Sequence, residues 1–206
     1  ENQQKCLITS NSQEGFCRSS DWKDREIKSA FPDVNISEDL KKNILKSYQD
    51  SIYSEIEKNE NSLLETYKKA LNIFLKSYSK QIKAAFPYQK VKSKELIDRF
   101  RDRVKNLNIY FGPTKIAKQK FGERKLNFLQ KNFEEICGQD GSISNGAVSS
   151  TYDPKTNNIF SQSFFICPAN YLEKSNDGNI QINQKKMFNK LLGILGHELG
   201  HVNQNV

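Results

Sequence analysis

The sequence predicts an α+β chain that is mostly α, with a long helical N-terminal region followed by a small strand-containing segment that ends in one further helix. Apolar residues recur every three or four positions through most of residues 37–137, which is the period of an amphipathic helix. At Gly138 the composition changes from charged helix to Gly, Ser, Asn and Thr with β-branched residues between them. The helical period then returns from Asn183 to about Gln204. These shifts divide the chain into residues 1–36, 37–137 and 138–206.

Residues 1–36 are polar and irregular, and Cys6, Cys17 and the single Trp22 are their natural anchors. We expect an N-terminal arm stapled by a Cys6–Cys17 disulfide. From Ser37, a good N-cap residue, Leu40, Ile44, Tyr48, Ile52 and Ile56 line one face of a first helix. The polar run Glu57 to Asn61 is expected to interrupt it. A second helix then follows through Leu64, Tyr67, Leu71, Phe74, Tyr78 and Ile82 to Pro87, and the two should pack as an antiparallel hairpin. Ser93 opens a third helix through Leu96, Phe100 and Val104. After Gly112-Pro113 a fourth runs through Ile116, Phe121, Leu126, Leu129 and Phe133 to Cys137. Tyr and Phe stripes of this kind are more often core than binding surface.

In the last segment, Ala147 to Tyr152 and Ile159 to Ile166 flank the turn-forming run 153–158, which suggests a hairpin or two strands joined by a tight loop. A second turn is marked by 176–179. In the final helix Met187, Leu191, Ile194 and Leu195 form the apolar face, and His197 and His201 lie one turn apart.

Composition bounds the function. The 206 residues are 36% hydrophobic and 27% charged, and no apolar run approaches the ~20 residues of a membrane span. The 32 Lys and Arg against 24 Asp and Glu give a net charge of +8. The lysines alternate with apolar positions along helices and form no dense basic block or recognisable nucleic-acid module, so a solvated surface is favoured over a nucleic-acid partner. Four cysteines in two sequence-local pairs, Cys6/Cys17 and Cys137/Cys167, read as two disulfides, since no spacing is CxxC. Disulfides imply an oxidising compartment. With a chain that opens at Glu1, this suggests a secreted or periplasmic protein whose signal peptide has been removed.

The chemistry is carried by Gly196-His-Glu-Leu-Gly-His201, an HExxH motif holding the only two histidines of the chain. Residues four apart on a helix differ by about 40° around its axis, so His197 and His201 can share one zinc ion. Glu198, rotated about 100° from His197, is placed to act as general base on a water at the metal's open position, for hydrolysis of a peptide or protein substrate. Gly196 and Gly200 each cost roughly 0.8 to 1 kcal/mol in a helix relative to Ala. Small residues here would let a strand or a substrate lie close to the metal face.

The run Tyr152-Asp-Pro154-Lys-Thr-Asn157-Asn-Ile159, followed by Ile194-Leu-Gly-His-Glu-Leu-Gly-His201, resembles the neprilysin-like zinc peptidases, whose strand pattern Tyr-x-Pro-x-x-Asn-x-Ile leads into the HExxH helix. The resemblance spans about residues 146–206, and His201-Val202 is similar to the wider class of gluzincins. It implies a zincin-like segment, a zinc cofactor with His197 and His201 as ligands, and Glu198 as catalytic base. Where that family has Asn-Ala and a first Tyr, this chain has Ser149-Ser150 and Thr151. The family's third ligand is a glutamate well downstream, whereas five residues follow His201 here. The HExxHxxGxxH alternative fails because Gln204 stands at its Gly position.

The third ligand is therefore unknown, with four explanations open. The chain is a fragment of a larger metallopeptidase, an upstream carboxylate such as Asp153, Glu173 or Asp177 completes the site, another chain donates the ligand, or the site is degenerate. The rival to a peptidase is a non-catalytic binding protein on a peptidase-like scaffold. A third class, a helical surface-binding module, has only the net charge behind it.

Overall fold

The computed structural model describes residues 37–138, 144, 146–152, 159–175 and 179–204, without the side chains of residues 38, 41, 45, 151, 152, 159–161, 174, 201, 203 and 204. Cys6, Cys17, Trp22, Asp153 and Asp177 lie outside the described residues, as does the stapled arm expected at 1–36. In chain order the elements are α1 (Glu38–Ala85), α2 (Lys90–Lys105), β1 (Asn108–Tyr110), α3 (Lys115–Phe121), α4 (Glu123–Cys137), β2 (Gly146–Tyr152), β3 (Ile159–Ile166), a 3-10 turn (Pro168–Asn170), β4 (Leu172–Lys174), β5 (Ile180–Ile182) and α5 (Gln184–Gln204). The architecture is α+β and mostly helical, with a small strand-containing part.

α1 is a single helix of 48 residues, about 70 Å long. The interruption expected at Glu57 to Asn61, and the hairpin it would have made, are not there. That run is polar but contains neither Gly nor Pro, and its side chains bond back to their own helix. Asn59 Nδ2 donates to the Glu55 carbonyl at 2.9 Å, Ser62 Oγ to the Asn59 carbonyl at 2.8 Å, and Thr66 Oγ1 to the Ser62 carbonyl at 2.9 Å. The buried face also runs straight through it, as Ile52, Ile56, Glu60, Leu63, Tyr67 and Ala70. Ser37 Oγ accepts the Leu40 amide proton at the N-terminus, and the chain turns at Phe86-Pro87 into α2, which packs back on α1.

The expected fourth helix is two, α3 and α4, separated at Gly122, whose φ of +73° is in the left-handed region that a side chain disfavours. β1, β3 and β2 form a sheet in that order, with β1 parallel and β2 antiparallel to β3. The antiparallel pair is the one the sequence suggested. β4 and β5 make a separate two-stranded antiparallel sheet.

β3 sits between two apolar layers, and its alternation assigns each side chain to one of them. Phe164 and Ile166 join α1, α2 and α5 in the main core, with Ile56, Leu63, Tyr67, Phe100, Leu191 and Leu195. Phe165 and Cys167 face α3 and α4, with Tyr110, Leu129, Phe133 and Cys137. Residues before and after Gly138 thus share both layers. The Cys137–Cys167 disulfide, one of the two expected, ties the end of α4 to the end of β3 across a sequence separation of 30. On a chain-entropy view, closing a loop of that size stabilises by about 3 to 4 kcal/mol.

No helix among the described residues is long and apolar enough to cross a membrane.

Candidate functional site

The HExxH motif lies on α5, and the burial pattern of that helix decides which way the motif faces. Met187, Leu191, Leu195, Leu199 and Val202 are fully buried at spacings of four, four, four and three, against α1, α2 and the sheet. His197 is two residues beyond Leu195, about 160° around the axis from it, and is exposed. Gly193 and Gly196 share that exposed side. The apolar stripe therefore turns His197 away from the core. The backbone of His201 continues the same helix one turn later, while its side chain is outside the described ones.

Glu198 lies between these faces and is half-buried. Its Oε2 accepts the Val148 backbone amide proton at 3.1 Å. β2 is an edge strand, so an amide bonded to Glu198 points from the free side of β2, away from β3. Strand and helix meet at this carboxylate. An ionised carboxylate offers about four lone-pair sites, so one amide leaves acceptor capacity for a water. No local pattern signals the Val148 contact, because the two residues are 50 positions apart and only the packing of β2 on α5 joins them.

Close approach by the protein itself does not account for the glycines. Among the described residues, a methyl group at Gly200 would meet no atom within 4 Å, and one at Gly196 would touch only the Phe74 ring at 3.8 Å, an ordinary contact. Gly146 is different: a methyl there would lie 2.5 Å from the Phe165 carbonyl oxygen, so β2 begins hard against β3.

Of the upstream carboxylates considered as a third ligand, only Glu173 is described, and it is held elsewhere. Gln181 Nε2 donates to its Oε1 at 2.9 Å and Asn183 Nδ2 to its Oε2 at 2.8 Å. Asn183 in turn caps the start of α5, accepting the Lys186 amide proton at 2.8 Å. From Asn183 to His197 the helix rises roughly 20 Å, well beyond the reach of a shared ion. Among the described residues no group of three His, Cys, Asp or Glu side chains is placed to hold a metal. Of the motif, His197 and Glu198 are described with their side chains and His201 by its backbone.

Away from the motif, the buried face of α1 carries two polar groups, Glu60 and Tyr67. Glu60 is 8% exposed, with Oε2 lacking a hydrogen-bond partner among the described residues. Burial pushes its carboxyl above the usual range, opposed by a hydrogen bond from Thr114. The Tyr67 hydroxyl is buried without a partner, its ring edge-on to Phe164, and burial alone pushes its pKa up. Both fall at helical spacing in the apolar stripe, which was the available signal.

Comparison of the chain with protein-family models, curated proteins and solved structures finds no match.

Proposed function

We propose that this chain is the HExxH part of a zinc-dependent peptidase, similar to the neprilysin-like enzymes, with Glu198 as general base and His197 and His201 as metal ligands. The observation that carries this is the position of Glu198: it projects from the flank of α5 between the exposed histidine face and the free edge of β2, held there by the Val148 amide. The donor set fits the metal, since imidazoles one helical turn apart suit zinc, and His197 stands exposed alongside Gly193 and Gly196, which carry no side chain. When bound, zinc acidifies water towards a pKa of ~7 and polarises a carbonyl oxygen. Glu198 takes the proton from that water and returns it to the amine that leaves the broken peptide bond. The Val148 amide fixes the carboxylate's orientation while leaving lone pairs for this transfer. The expected substrate is a peptide or protein, and the Cys137–Cys167 disulfide favours a secreted or periplasmic setting.

The tethering of Glu173 at the far end of α5 favours a third ligand from outside the described residues, from another chain or from a longer polypeptide of which this is a part. The competing proposal, a non-catalytic binding protein on this scaffold, is separated by one variant. Glu198→Gln keeps size and shape, so it should retain zinc while proteolysis of an unfolded protein falls by about 10²- to 10⁴-fold. A variant with undiminished zinc-dependent proteolysis removes Glu198 from the mechanism, and zinc-loaded wild type without turnover favours the binding protein.

A further inference from the structure

The positive charge of the chain is not evenly spread. From Lys80 to Lys94, around the turn between α1 and α2, there are five lysines and no acidic residue. All five are exposed, and none is ion-paired among the described residues. At the apex stand Tyr88, 97% exposed, and Val91, 73% exposed, more exposed than any other large hydrophobic side chain described. Pro87 is exposed beside them, and Lys92 lies over the Phe86 ring at 5.2 Å from its centroid.

Two further features give this tip its shape. α5 meets α2 at Arg103, whose Nη1 donates to the Val202 carbonyl at 3.4 Å, and from there α2 runs thirteen residues back to the turn, about 20 Å. Near the turn α1 and α2 leave between them a pocket of about 600 Å³ rimmed by Lys83, Lys90, Lys94 and Arg101, with Asp98 as its acid. That is room for a phosphate-bearing headgroup among cations.

The geometry points to a membrane-docking tip: the α1–α2 turn binds an anionic lipid surface, with Tyr88 and Val91 entering the interface and the surrounding lysines pairing with lipid phosphates and carboxylates. Lysines add attraction to an anionic leaflet, and tyrosine settles at the headgroup level because one end is apolar and the other wet. Exposed apolar side chains at a helix–turn–helix apex ringed by lysines suit a lipid surface. Nucleic acid is favoured less, because phosphate contacts use the lysines and leave exposed Val91 without a role. The inference is independent of the metal site.

The test is sedimentation of the full 206-residue chain with phosphatidylcholine vesicles containing about one-third phosphatidylserine, against pure phosphatidylcholine. The chain should sediment with the first and stay in solution with the second. Combined Tyr88→Ser and Val91→Ser should weaken binding on the order of tenfold at unchanged helicity, and combined Lys90→Glu, Lys92→Glu and Lys94→Glu should abolish it. Equal partition onto both vesicles, no binding to either, or a Tyr88/Val91 variant that binds as well as wild type would each overturn the proposal.

Discussion

On one side of α5, Met187, Leu191, Leu195, Leu199 and Val202 are buried against α1, α2 and the sheet, while on the other Gly193, Gly196 and His197 face solvent. The same 21 residues thus answer to two demands. The buried side follows helix-packing logic, with a large apolar residue on every turn. The exposed side breaks helix propensity with Gly193 and Gly196, and half-buried Gly200 adjoins it; a methyl on any of the three would meet no described atom within 4 Å apart from the Phe74 ring near Gly196. The exposed face gives up helix stability for little packing against the described side chains, whereas the opposite face holds the helix in place.

Substitutions on the two sides should therefore differ in sign. The largest effect is expected on the buried side, where Leu195→Ala leaves a cavity among α1, α2 and α5 and should lower unfolding free energy by about 2 to 5 kcal/mol in a denaturant titration. At the margin of the open side, Gly200→Ala adds a methyl where no described atom lies within 4 Å and should stabilise by about 0.8 to 1 kcal/mol. If that space belongs to a substrate, the same variant should lose peptidase activity while gaining stability. A destabilised Gly200→Ala would show that the space is already filled.

A smaller effect sharpens the contrast between apolar and polar members of the buried stripe on α1. Burial holds the Glu60 carboxyl above its usual range, so between the ordinary and the raised pKa the folded chain keeps a proton that the unfolded chain releases. The stability this contributes is complete below the ordinary value and is lost as pH rises through the raised one. Glu60→Gln can still accept from Thr114 but cannot ionise. It should match wild type at pH near 4 and exceed it at pH near 8 in thermal melts, and equal melts at both values would contradict the burial account.

The sequence showed best what depends on neighbours along the chain. The spacing of His197, Glu198 and His201, the antiparallel pair β2 and β3, and the stripe on α5 are all local periodicities. The Cys137–Cys167 bridge followed from counting and proximity. The break misplaced in α1 shows the limit of polarity as a signal. Glu57 to Asn61 are polar, yet their carboxamide and carboxylate groups cap no turn, and the buried register passes through Glu60 unbroken. The real break at Gly122 needed a left-handed residue, which polarity does not report. β1 was missed because three residues show too little alternation, and its parallel partner lies more than 50 positions away. The Val148 contact to Glu198 was hidden for the same reason of distance.

The metal site proposed on α5 stands or falls on zinc analysis of the purified chain beside His201→Ala. Wild type should hold near-stoichiometric zinc and the variant should lose it, with both proteins equally helical by circular dichroism. Zinc retained unchanged in His201→Ala, or absent from wild type even after incubation with the metal, would contradict it.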